Sequence, residues 1–182
     1  ISLSAHKFNG PKGIGALVVR AGTQLQPLQW GGGQEQGLRA GTLPVPLIMG
    51  MAAAAELSMQ DLEDRQARLQ ALRDQLWGGL KDRNPTIQLN GTLQPRLAHN
   101  LNLTVPNVSG SRLHRALRSR LACSSGSACS RGEPSHVLRS IGRSRLEAEG
   151  SLRLSLGRDT TATDIDGAIE VITTAIQTMT QR

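Results

Sequence analysis

Ser4-Ala-His-Lys-Phe-Asn-Gly-Pro-Lys-Gly-Ile-Gly-Ala-Leu17 is the stretch on which the fold of this chain turns. Asn9, Gly10, Pro11 and Gly13 are turn formers, and residues 14–20, Ile-Gly-Ala-Leu-Val-Val-Arg, are apolar and β-branched. A turn followed by a buried strand is therefore predicted. Upstream, Ile1-Ser-Leu-Ser4 reads as an apolar strand entered partway along, with no initiator Met, so the chain looks cut. Lys7 then lies in a rigid turn between two strands. An amine held there can form a Schiff base with an aldehyde cofactor, provided burial or a neighbouring cation leaves some of it neutral. On spacing alone, a surface lysine in a loop explains the same residues. The glycines do not make a nucleotide phosphate loop, because no Gly-Lys-Ser/Thr follows at the required spacing.

Working outward, a loop runs from the strand to Gly31-Gly32-Gly33, and from about Pro46 to Lys81 the pattern becomes helical. Met49 to Ala55 is small and apolar; Leu62, Leu69, Leu72, Leu76 and Leu80 recur at helical spacing. Strands are predicted at Thr86 to Leu89 and His99 to Thr104, then a helix from Ser109 to Leu121 and a short strand from Ala122 to Ser124. After a Gly-Ser loop, Pro134 marks the first turn of a helix ending at Gly142. Leu152 to Leu156 alternates as a strand, and Thr163 with Asp166 is expected to cap a final amphipathic helix to about Met179. From residue 85 onward the order is that of a mixed α/β domain.

The composition, 38% hydrophobic and 19% charged with 20 Gly, fits a folded globular chain. One Phe, two Trp and no Tyr leave the core to aliphatic residues and argue against a base-stacking surface. The formal charge of +7 is carried partly by Arg112, Arg115, Arg118 and Arg120 on one helix. Neither a nucleic acid nor a membrane is expected as partner. Two cysteines are too few for a disulfide scaffold or a four-cysteine zinc site, so a reducing, cytoplasmic setting is expected.

Two further segments can carry chemistry. Ser124-Ser-Gly-Ser-Ala-Cys129-Ser130 is a loop of small residues with one thiol, which a nearby cation or a substrate could activate; a flexible loop with an incidental cysteine reads the same way. Cys123, at a strand end, reads as a small buried hydrophobe. In Leu152-Arg-Leu-Ser-Leu-Gly157 the guanidinium of Arg153 faces opposite to the leucines, where it could clamp a carboxylate or simply be solvated. His136 and Arg139 carry no stronger signal.

Taken together and in this order, residues 4–17, 31–45 (Gly-Gly-Gly-Gln-Glu-Gln-Gly-Leu-Arg-Ala-Gly-Thr-Leu-Pro-Val), 124–130 and 151–158 (Ser-Leu-Arg-Leu-Ser-Leu-Gly-Arg) resemble the NifS/IscS-type cysteine desulfurases over essentially the whole chain. The resemblance implies an α/β chain, the C-terminal part of a pyridoxal-phosphate-dependent transferase of aminotransferase fold type I. Residues 1–57 would be a fragment of the large cofactor-binding domain, and residues 58–182 a small α+β domain whose mobile cysteine loop spans about 123–135. It assigns Lys7 to the pyridoxal 5'-phosphate and to proton transfer, Ser4 and His6 to its phosphate, and Thr42 to a phosphate contact reaching the second subunit of a homodimer. Arg153 would hold the carboxylate of L-cysteine, and Cys129 would take its sulfur as a persulfide, leaving L-alanine. A sulfur acceptor, such as an iron-sulfur scaffold protein, would follow, and Cys129 could contribute one ligand to a shared iron-sulfur cluster.

The ring-stacking histidine, the aspartate paired with the pyridine nitrogen and further phosphate contacts of such enzymes belong to an N-terminal half with no counterpart in these residues, so the isolated chain is expected to be a poor catalyst. An inactive fragment kept as a partner-binding module, and a selenocysteine or cysteine lyase, are the alternative readings.

Overall fold

The computed structural model describes residues 1–124 and 133–180. The chain divides into two compact units, Ile1–Leu62 and Glu63–Arg182.

In the first unit, β1 (Ser2–Ser4) and β2 (Gly15–Leu17) pair antiparallel, Ser4 opposite Gly15 and Ser2 opposite Leu17. A 3-10 turn, Ala5–Phe8, leaves β1 and is stopped by Asn9 in the left-handed conformation, φ 67°. Gly15 has no room for a side chain, since a Cβ there would sit 2.5 Å from the Leu3 carbonyl oxygen. The expected strand over residues 14–20 is thus shorter than its apolar run. It is also not buried: Leu17 is 60% and Val18 55% exposed. A two-stranded ribbon has no interior strand, so a sequence suited to burial on both faces finds no cover among the described residues of this unit.

Helix α1 (Val45–Met59) starts at the Pro44-Val-Pro46 corner, where a proline in the first turn loses no hydrogen bond. It lies against the turn, with Gly50 facing Pro11 and Leu47 facing Gly13. Gln60 is extended and Asp61 has φ 50°, which breaks the helical run before α2 (Leu62–Arg83).

The second unit is a two-layer α/β sandwich. β3 (Gln88–Leu89), β4 (Asn100–Thr104) and β5 (Ser151–Ser155) form an antiparallel sheet with β4 in the centre. Leu101 and Leu103 lie opposite Leu154 and Leu152. These four are buried together with Leu69, Leu72, Leu76 and Leu80 of α2 and Ile165, Ile169, Ile172 and Ile176 of α6 (Ala162–Thr180). Each such side chain contributes about 1.5–3 kcal/mol of transfer free energy. Gly79 lets α2 approach α6, since a Cβ there would fall 2.5 Å from Ile169 Cδ1. Asn90, Thr104 and Ser151 form a buried polar cluster in which Thr104 Oγ1 donates to Asn90 Oδ1 at 3.0 Å and Asn90 Nδ2 donates to Ser151 Oγ at 3.2 Å.

Several expected boundaries move. Helix α3 is Gly110–Leu117, and the expected strand at 122–124 is reduced to one bridge, Ser124 with Arg153. Ser135, whose hydroxyl accepts from Leu138 N, caps α4 (His136–Ser140), which puts Pro134 outside that helix. Helix α5 (Arg145–Glu149) was not foreseen; it is short, and its signal is only the Ser144–Glu147 capping box. The cap of α6 is Thr161 with Asp164, not Thr163 with Asp166: Asp164 N donates to Thr161 Oγ1 at 3.2 Å and Thr161 N to Asp164 Oδ2 at 2.9 Å. Both pairs share the same spacing, and Thr161 wins because the helix begins one residue after it.

Candidate functional site

The end of β1 and the turn after it carry the first group of candidate side chains. Ala5 is fully buried, whereas Ser4, His6 and Lys7 are exposed. The turn is locked from below: Ala5 N donates to Ile14 O at 3.1 Å, Gly10 N donates to Ala5 O at 2.8 Å, and a Cβ on Gly10 would meet Ala5 Cβ at 2.9 Å. A hydroxyl from the last residue of β1, and an imidazole and a primary amine from the turn that follows, therefore leave one rigid segment. The Ser4 hydroxyl makes no capping bond to the turn that follows it. The chain has only three lysines, Lys7, Lys12 and Lys81. Lys81 Nζ is occupied by the carbonyls of Pro85 and Ile87, at 2.7 and 2.9 Å.

Thr42 belongs to the same unit and is exposed three residues before α1. The loop leading to it is folded on itself: Gly41 N donates to Gln34 Oε1 at 3.1 Å and Ala40 N to Gln29 O at 3.4 Å. Gly41 has φ 120°, and a Cβ on Gly31 would meet the buried Ala40 at 3.0 Å. Glycines at 31 and 41 are thus what this loop requires.

Arg153 lies in the second unit, in the middle of β5. Leu152, Leu154 and Leu156 are buried and Arg153 is exposed, the alternation a half-buried strand demands. Arg153 N donates to Ser124 O at 2.7 Å, Ser124 N to Arg153 O at 3.0 Å, and Arg153 Nη2 to Ser124 Oγ at 3.3 Å. Ser124 is the residue that sequence reasoning missed. Its part depends on strand register, which no local signal encodes. Cys129 lies outside the described residues.

Cys123 is partly buried, with its Sγ 3.6 Å from His114 Nδ1. Burial pushes the Cys123 thiol up and the His114 imidazole down, so both neutral forms are favoured. This pair is a packed thiol and ring, not a thiolate and imidazolium, in keeping with Cys123 as a small hydrophobe. Among the described residues no group of three or more His, Cys, Asp or Glu comes together to hold a metal ion. No helix among them is long and apolar enough to cross a membrane.

The aminotransferase class-V family profile matches residues 1–167. The chain belongs to that family. Among class-V relatives, a cysteine desulfurase IscS of Histophilus somni (strain 129Pt) is 45% identical over 181 residues, 97% of this chain and 44% of the relative. A cysteine desulfurase IscS of Shewanella denitrificans (strain OS217) is 46% identical over 180 residues, again 97% and 44%. A solved NifS-like protein superposes with a TM-score of 0.85 at 34% identity, covering 97% of this chain and 46% of that one. The fold is that of the NifS-like class-V proteins, and the chain spans about 44% of the length of the curated relatives it matches.

Proposed function

We propose that this chain carries the lysine-bearing portion of a cysteine desulfurase, a pyridoxal-phosphate enzyme that moves sulfur from L-cysteine to Cys129 and releases L-alanine. The observation that carries the reading is the fixed segment presenting Ser4, His6 and Lys7, in a chain 45% identical to an enzyme named for that activity. The donor set fits the cofactor: Lys7 Nζ is a primary amine for an aldehyde, and the Ser4 hydroxyl and His6 ring are donors for a phosphate. Thr42, on its folded loop, is a further hydroxyl for a phosphate, offered to the second subunit of a homodimer.

The chemistry that pyridoxal phosphate supplies when bound is that of an electron sink. Lys7 Nζ would hold it, and the same amine would move protons to and from the substrate carbons. Arg153 orients the substrate by its carboxylate, through a guanidinium that Ser124 already steadies. The Cys129 thiolate attacks the substrate sulfur, the carbon–sulfur bond breaks, and the sulfur stays on Cys129 as a persulfide. Cysteine and one thiol thus give alanine and one persulfide, which a sulfur-acceptor protein then consumes.

The test is incubation with the cofactor and L-cysteine, followed by alanine quantification and mass analysis of the Cys129 peptide. One extra sulfur on that peptide, with equal alanine, is expected. Alanine formation that survives Cys129→Ser at full rate would contradict the assignment.

A further inference from the structure

Residues 83–132 contain seven arginines, Arg83, Arg96, Arg112, Arg115, Arg118, Arg120 and Arg131, and not one Asp, Glu or Lys. Four of them are exposed on and just after α3, and none of these four forms an ion pair among the described residues. Four arginines elsewhere in this unit have an acidic partner: Arg143 with Glu147, Arg145 with Glu149, Arg158 with Asp159 and Arg73 with Asp74. The helical path continues beyond Leu117, since Arg118 N donates to His114 O at 3.0 Å and Leu121 N to Leu117 O at 2.9 Å. Arg112, Arg115 and Arg118 therefore follow one another at three-residue spacing along the side opposite the buried Leu113 and Leu117.

Arg115, in the last turn of α3, and Arg118, at its C-cap, suit the helix dipole, but Arg112 does not. Arg112 stands in its first turn, where the helix dipole disfavours a cation, and the successive like charges three residues apart repel. A carboxylate-rich surface laid on the strip would remove both costs. The strip is short, about 12 Å from residue 112 to 120 at 1.5 Å per residue. Residues 83–132 contain no Phe, Trp or Tyr. A nucleic-acid groove would be longer and would offer stacking faces. The strip also leads directly, through residues 121–123, to the bridge between Ser124 and Arg153.

We propose that Arg112, Arg115, Arg118 and Arg120 form a docking surface for an acidic protein. Its identity as the acceptor of the sulfur rests on the desulfurase reading above. The surface itself does not.

The test needs neither cofactor nor substrate. A glutamate-rich peptide ending in a cysteine activated as an aryl disulfide is mixed with the full chain. A chain thiolate attacks the peptide sulfur, the aryl thiolate leaves, and its absorbance gives the rate of a redox-neutral exchange. Peptide mapping locates the new disulfide. Arg112→Gln, Arg115→Gln and Arg118→Gln together should slow trapping at Cys129 about tenfold at low salt, through loss of electrostatic steering. Lys12→Gln, Arg20→Gln and Arg83→Gln remove the same charge from exposed sites and should change the rate less than about twofold. Equal slowing in the two variants would overturn the proposal, since charge alone would then explain it. So would faster trapping by a single-stranded oligonucleotide carrying the same activated thiol. Failure of the desulfurase reading would show separately, as absence of alanine, with the trapping rates unaffected.

Discussion

Ser124 and Arg153 are joined at three points, two backbone hydrogen bonds of 2.7 and 3.0 Å and a 3.3 Å bond from the Arg153 guanidinium to the Ser124 hydroxyl. The strand that presents the proposed carboxylate clamp is therefore tied to the residue that immediately precedes the segment bearing Cys129. Because Arg153 is exposed, replacing it should leave stability within about 0.5 kcal/mol. Loss of a charged hydrogen-bonding partner to a carboxylate is worth about 1.5–3 kcal/mol. Arg153→Ala should accordingly raise KM for L-cysteine by about 10- to 100-fold. Steady-state kinetics beside a thermal melt separates this from a general folding defect.

The cap of α6 offers a direct comparison of two threonines. Thr161→Ala removes the hydroxyl that accepts from Asp164 N and should cost about 1 kcal/mol in denaturant unfolding. Thr163→Ala, inside the helix and exposed, should be neutral or slightly stabilising. Asp164 is held below its usual carboxylate range by the hydroxyl and amide of Thr161, so its contribution is present above that range and is lost as pH falls through the lowered value.

His114 sets a second pH dependence in the same direction. Burial lowers its pKa in the folded state, so the unfolded chain binds the extra proton first. Stability should be full above the ordinary imidazole value of about 6.5 and decline as pH falls through it towards the lowered folded value. In His114→Gln this part of the pH profile should flatten, which urea titrations at several pH values would measure.

The core permits a steric prediction. A Cβ on Gly110 would lie 1.9 Å from the Glu149 carbonyl oxygen, a clash with backbone that no rotamer can relieve. Gly110→Ala should destabilise the second unit by about 1–3 kcal/mol or more, and Leu103→Ala in the central strand by about 2–5 kcal/mol. Unfolding midpoints in urea test both.

Much of this was legible in the sequence. The leucine spacing of α2 and the alternation of Leu152, Leu154 and Leu156 around Arg153 encode helix, strand and facing directly, because period and burial coincide there. The turn at Lys7 was legible from Asn9, Gly10, Pro11 and Gly13. The exposure of β2 was not, since an apolar run states what a strand could bury and not what lies against it. The bridge from Ser124 to Arg153 depends on a register between residues 29 positions apart. The choice between Thr161 and Thr163 hung on where α6 begins, which two equally spaced pairs leave open.

The central claim is that Lys7 holds the cofactor, and borohydride reduction after incubation with pyridoxal phosphate tests it most directly. With three lysines in the chain, intact mass and peptide mapping assign any adduct without ambiguity. One pyridoxyl group on the Lys7 peptide, absent from Lys7→Ala, is the expected result. An unmodified mass, or an adduct on Lys12 or Lys81 that persists in Lys7→Ala, would contradict it.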